Sequence, residues 1–172
     1  AYGDAGAIVT NRKDIAERCR MIANHGQLVK HTHIIEGRNS RLDGLQAAIL
    51  LVKLPHLADW NNARIKHAER YIELLSSTNI VLPKVRDAAK HVFHLFVIRS
   101  KKRDRLKEHL QAAGIETSIH YPKALPFVDA YKHYNHTPAD FPIAYKLSNE
   151  ILSIPIYPEL TEELIQYVVQ GL

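Results

Sequence analysis

Apolar residues recur at three-and-four spacing through residues 45–52, where Leu45, Ala48, Ile49 and Val52 draw one stripe along a predicted helix. The seven residues before it, Gly37-Arg38-Asn39-Ser40-Arg41-Leu42-Asp43, are mostly polar. Ser40 with Asp43 three positions on has the form of a capping box, Asp replacing the usual Glu or Gln. The pattern predicts a buried helix entered from a polar loop. At such an entry, amide and guanidinium donors can be aimed at an anion. The plainer alternative is that Asn39 shapes the turn and Arg41 pairs with Asp43.

Upstream, a short apolar run over residues 7–10 ends at Asn11, a candidate N-cap with Asp14 at the third helical position. Ile15, Cys19 and Ile22 share one face of the helix that follows, and Gly26 supplies its stop. Residues 27–41 have no clean period, and a connection of that length is functional or leans on a partner. Pro55 predicts a kink or restart after the central helix. A second long helix then runs over residues 55–75. Leu57, Ala58, Ile65, Ala68, Ile72 and Leu75 face inward on it, with Trp60 and Tyr71 along the flank.

Beyond residue 80 the elements shorten. Residues 91–98 read as an interior strand and 103–113 as a helix carrying Leu106 and Leu110, closed by Gly114. Residues 115–119 read as another strand, 121–141 as a long packed loop, 142–151 as a helix and 152–156 as extended chain. Thr161 caps a final helix carrying Leu164, Ile165 and Val168. Strands alternating with helices at this pitch predict an α/β or α+β domain.

Composition narrows the picture only a little. The 172 residues are 46% hydrophobic and 24% charged, ordinary for a globular protein with a real core. The longest apolar run, residues 47–52, is far too short to span a bilayer. No basic-then-apolar leader opens the chain, so a cytoplasmic protein is expected, with Cys19 a reduced, partly buried filler. The net charge of +5 suits a phosphate-bearing partner without choosing one. Lys101-Lys102-Arg103 leads into a helix with no interleaved aromatics, so it reads as a solvated face and not as a nucleic-acid site. Eleven histidines include the pairs His31/His33, His91/His94 and His133/His136, but none has the ligand spacing of a zinc site. No Gly-x-Gly-x-x-Gly, phosphate-loop or nucleophile-elbow motif is present.

Asn39-Ser40-Arg41-Leu42-Asp43-x-x-Gln46-Ala47-Ala48-x-Leu50 resembles the signature of the DegT/DnrJ/StrS family of pyridoxal-phosphate (PLP) sugar aminotransferases. Further matches follow in the family's order. They are Gly3-Asp4-Ala5-Gly6-Ala7-Ile8-Val9-Thr10, Asn24-His25-Gly26, Gly114-Ile115-Glu116-Thr117 with His120-Tyr121-Pro122, and Pro155-x-Tyr157-Pro158-Glu159-Leu160-Thr161.

The resemblance implies the aspartate-aminotransferase fold (fold type I). Residues 1–53 would be the end of the large PLP-binding domain, and 54–172 the small C-terminal α/β domain. It also implies that the lysine holding the cofactor aldehyde as an imine lies upstream of Ala1, as does the carboxylate that partners the ring nitrogen. No catalytic residue is therefore expected within the chain, whose start inside a motif suggests a truncation. Carried over residue by residue, Asn39 would reach the cofactor phosphate of the other subunit of a homodimer, with Arg41 beside it. His33, on the same crossing loop, and His120 and Tyr121, near the active-site mouth, would meet the nucleotide-linked sugar. Arg38 stands where the family often has an aromatic residue, and His31 where a tyrosine is common. The implied reaction transfers an amino group, from glutamate by analogy, to a nucleotide-linked keto sugar in amino-sugar or polysaccharide biosynthesis, the isolated chain being inactive. The alternatives are a sugar dehydratase of the same family, with histidine in place of the lysine, and a non-catalytic fragment that dimerises or binds sugar nucleotides.

Overall fold

The computed structural model describes residues 2–172, which divide into one unit running up to Leu57 and a second spanning Ala58–Leu172. The first unit holds two helices, α1 (Lys13–Ala23) and α2 (Gly44–Lys53), joined by a long loop. Arg12 rather than Asn11 stands at the N-cap position of α1, where its side chain makes no capping bond, and its guanidinium bonds the Asp14 carboxylate at 2.6 Å. Asp14 thus sits in the first turn, where the helix dipole favours a negative charge. The predicted Ser40–Asp43 capping box does not form. Asp43 is the N-cap of α2 and its side chain accepts no capping bond. Ser40 is held away because its N–H donates to the Ala23 carbonyl at 2.9 Å, tying it to the end of α1.

The stripe on α2 faces the wrong way for a core of this unit. Leu45 and Val52 are 74% and 72% exposed, and Ala48 is exposed with them. The half-buried side is instead Gln46, Ala47, Ile49 and Leu50. Gln46 turns inward because its amide clasps the Tyr2 backbone, donating to Tyr2 O at 2.7 Å and accepting from Tyr2 N at 2.8 Å. Pro55 falls in a 3₁₀ turn, Leu54–His56, between α2 and the next helix, the restart that a missing N–H dictates.

The second unit is built on a two-stranded antiparallel ribbon, β1 (Phe96–Arg99) with β2 (Ile151–Ile154). Phe96 faces Ile154 and Ile98 faces Leu152, so these four lie on one face. That face meets α3 (Leu57–Leu75), α4 (Arg103–Ala112) and α6 (Glu162–Gln170) through Ala68, Tyr71, Leu75, Leu110, Ile165 and Val168. Val97 and Ser153 are paired on the opposite face. Single bridges at Val81–Arg99 and Ser118–Ser153 extend the ribbon on both sides, so the strand expected at 115–119 is reduced to one contact. Likewise only the end of 91–98 is strand, because Phe93 adopts a positive φ of 48° and turns the chain first.

Helix α3 does more than pack. Tyr71, expected on the flank, is fully buried, and its hydroxyl donates to the Pro155 carbonyl at 3.1 Å. Burial raises the Tyr71 pKa well above its ordinary value. Arg64 donates to Ile156 O at 2.7 Å, His67 meets Pro158 O at 3.1 Å, and Arg70 makes a forked pair with Glu162. These groups staple the Pro155–Glu162 segment along the helix, and Thr161 then caps α6 by accepting from Leu164 N. Arg103, also buried, donates to the carbonyls of Ser148 and Ile151, where α5 (Pro142–Glu150) turns into β2.

Three carboxylates of this unit, Asp140, Glu150 and Glu162, are held below the ordinary carboxylate value, Asp140 by hydrogen bonds from Thr137. The Arg99 guanidinium holds Glu150 below the ordinary carboxylate value, and the Arg70 guanidinium does the same for Glu162. A pKa lowered by folding stabilises the folded state above the unfolded value and loses that contribution as pH falls through the folded value. Melting temperatures recorded from about pH 6 down to about pH 3 should therefore fall, and the double variant E150Q/E162Q should fall less steeply.

Among the described residues, no helix is long and apolar enough to cross a membrane.

Candidate functional site

The loop between α1 and α2 folds back on the helix that it leaves. His25 N–H donates to Arg38 O at 3.0 Å, Arg38 N–H to Ile22 O at 2.8 Å, and Asn24 bridges Asn39 in antiparallel sense. Within this outer pair, Ile34 N–H donates to Gly26 O at 2.9 Å, and Gln27 bridges His33. Gly26, at φ 78°, is the buried centre of the arrangement. The loop is thus a pinned hairpin whose returning limb carries Asn39 and Arg41 beside the start of the outgoing one.

Asn39 and Arg41 are brought together directly. Arg41 Nε donates to Asn39 Oδ1 at 3.0 Å, and Arg41 Nη1 to Asn24 Oδ1 at 3.3 Å. An amide whose oxygen accepts from a guanidinium must turn its NH₂ the other way. Asn39 Nδ2 and Arg41 Nη2 make no hydrogen bond to the described residues. Two unused donors, one of them cationic, on an exposed loop suit the oxygens of a phosphate. The alternative pairing of Arg41 with Asp43 is not made, since the guanidinium is engaged by Asn39 and Asn24 instead.

His33 lies in the same loop, and its Nδ1 donates to the His25 carbonyl at 2.7 Å. The bond fixes the tautomer and leaves Nε2 as the ring's acceptor.

His120 and Tyr121 belong to the second unit, where their rings meet edge-on with centroids 5.5 Å apart but border different hollows. His120 Nδ1 lies 2.9 Å from Ser153 Oγ, on the face of the ribbon away from the core. It borders an open groove of about 960 Å³ that also takes in Lys107, Glu116, Thr117 and Tyr157. The Thr117 hydroxyl is buried there with no partner among the described residues. Tyr121 is 72% exposed and borders a different, mainly apolar hollow with Leu125, Val128 and Leu147.

Sequence reasoning gave no role to two residues that hold these side chains. Asn24 entered only as part of a motif and Ser153 not at all. The polar Asn24 at a helix end, two residues before a glycine, was the available signal for the first. Ser153, set between apolar neighbours in a strand, was the signal for the second.

The model of the DegT/DnrJ/EryC1/StrS aminotransferase family matches residues 1–172. The chain belongs to this family. It is 45% identical to a "Pleiotropic regulatory protein" of Geobacillus stearothermophilus, over 99% of this chain and 46% of that protein. It is 40% identical to the "dTDP-3-amino-3,4,6-trideoxy-alpha-D-glucose transaminase" of Streptomyces venezuelae, over 92% of this chain and 42% of that protein. The crystal structure of S. venezuelae DesV in complex with a ketimine intermediate superposes with a TM-score of 0.91 at 37% identity, covering 95% of this chain and 44% of that one. The fold is accordingly that of the fold type I PLP-dependent aminotransferases. The chain spans a little under half the length of these relatives.

Proposed function

We propose that residues 1–172 form the C-terminal part of a PLP-dependent aminotransferase that moves an amino group, from glutamate, onto a nucleotide-linked keto sugar in amino-sugar biosynthesis. The observation that carries this reading is the pair of unused donors on Asn39 and Arg41, set side by side by the loop that packs against α1. Family membership and the transaminase names of dTDP- and UDP-sugar relatives support it. Bound PLP would supply an electrophilic aldehyde and an electron-withdrawing ring, which let one amine be exchanged between two carbonyl partners.

In this reading the chain's own residues bind and orient. Asn39 and Arg41 hold the phosphate, while His33 offers Nε2 as an acceptor for a sugar or ribose hydroxyl. His120, steadied by Ser153, and Tyr121 face the substrate. The lysine that anchors the cofactor is placed in the parent protein, N-terminal to these residues. Residues up to about 53 are assigned to its large domain and the remainder to its small one.

We further place the parent in the cytoplasm as a homodimer, with Asn39 serving the phosphate of the opposite subunit. The exposed apolar row Leu45, Ala48 and Val52 on α2 supports a partner surface.

Asn39→Ala in the parent protein tests the reading. Loss of one donor to a charged phosphate should raise the PLP dissociation constant about tenfold. Titration of the apoprotein followed by PLP absorbance measures it, and an unchanged constant would sink the assignment.

A further inference from the structure

We infer that Asn24 is a positioning residue for the phosphate grip, acting through Arg41; this rests on the cofactor reading proposed above. The side chains form one directed chain of hydrogen bonds. Asn24 Nδ2 donates to the Gln27 carbonyl at 3.3 Å, which turns Asn24 Oδ1 toward the returning limb of the loop. That oxygen accepts from Arg41 Nη1 at 3.3 Å, and Arg41 Nε donates to Asn39 Oδ1 at 3.0 Å.

Each link sets the sense of the next. A backbone carbonyl can only accept, so it selects one of the two orientations of the Asn24 amide. The selected oxygen fixes the guanidinium plane. The guanidinium in turn selects the orientation of the Asn39 amide and leaves Nδ2 presented outward. Without the Gln27–Asn24 end of the chain, Arg41 keeps only Asn39 as a partner, and the two can swing together on an exposed loop. Pre-set donors bind an anion more tightly than the same donors left to find their geometry, because less side-chain freedom is lost on binding. The backbone bridge between Asn24 and Asn39 makes the relay short and places its ends side by side.

The test uses the parent protein and compares PLP with pyridoxal, which has the ring and aldehyde but no phosphate. Asn24→Ala should raise the PLP dissociation constant about tenfold and leave that of pyridoxal unchanged. The N24A/R41A double variant should bind PLP no worse than R41A alone, since both changes break the same chain. Asn24→Asp, which cannot donate to the Gln27 carbonyl and sets a negative charge beside Arg41, should not recover the loss. If N24A does not fold, Asn24→Ser, whose hydroxyl stops short of Arg41, takes its place with the same expected loss.

Equal weakening of PLP and pyridoxal, or effects of N24A and R41A that add, would overturn the relay and leave Asn24 a structural residue. Unchanged PLP binding in N24A beside weakened binding in N39A and R41A would overturn it while the cofactor reading stands. Unchanged binding in all three would remove the cofactor reading and this inference together.

Discussion

Replacing Gly26 with alanine should weaken PLP binding by the parent protein about a hundredfold, more than removal of either phosphate donor, although Gly26 offers no side chain to any ligand. The reason is backbone geometry. Gly26 sits at φ 78°, where an L-residue with a Cβ is strained by roughly 1–2 kcal/mol. A methyl group there would also overlap the Ile35 carbonyl, and a methyl on Gly37 would overlap the backbone of His25 and Gly26. The two limbs of the hairpin touch backbone to backbone, so no flexible side chain can move aside. The bond from Gly26 N–H to Met21 O at the end of α1, and that from Ile34 N–H to Gly26 O, would have to open. With them goes the placement of Asn39 beside Asn24. PLP titration measures the loss, and limited proteolysis within residues 27–36 reports the opened hairpin. Wild-type affinity with wild-type protection would mean that the hairpin does not control the phosphate donors.

This dependence explains which parts of the site could be read from the residues alone. A glycine after α1 is a helix stop by any local rule, and the same rules say nothing of a carbonyl nine residues later. Asn39 and Arg41 were legible as donors because side-chain chemistry is local. Their mutual bond, and the role of Asn24 at its far side, depend on a non-local pairing of residues 24 and 39. The α2 stripe shows the opposite failure. Its period was read correctly as helical, yet Leu45, Ala48 and Val52 point outward because periodicity identifies an apolar face without saying what covers it. In the second unit the helices α3 to α6 lie close to where the pattern puts them, long apolar periods being dominated by neighbours in sequence. Strands depend on partners. The run at 91–98 has apolar residues on both alternating faces, but the chain turns at Phe93 and only Phe96–Arg99 finds β2. At 115–119 only Ser118 is bridged.

Phe96→Ala carries the largest expected effect on stability, a loss of about 4 kcal/mol from the second unit. Phe96 is fully buried at the junction of the ribbon and α3, with its ring 5.2 Å from that of Tyr71 and 6.0 Å from that of Phe93. Truncation removes the burial of a large apolar surface and leaves a void that Tyr71 cannot close, because its hydroxyl is tied to Pro155. Val97, the next residue, faces the other side of the ribbon and is only half-buried, so Val97→Ala should cost about 1 kcal/mol or less. Denaturant unfolding of the two variants measures the contrast, and equal costs would show that the ribbon's faces are assigned the wrong way round. The same contrast bears on function. The pairing that puts Phe96 opposite Ile154 also puts Val97 opposite Ser153, whose hydroxyl meets His120. A one-residue slip of this register would put Phe96 and Ser153 on the same face, sending Phe96 out of the core or turning Ser153 away from His120, so the packing that stabilises the unit also holds His120 at the groove.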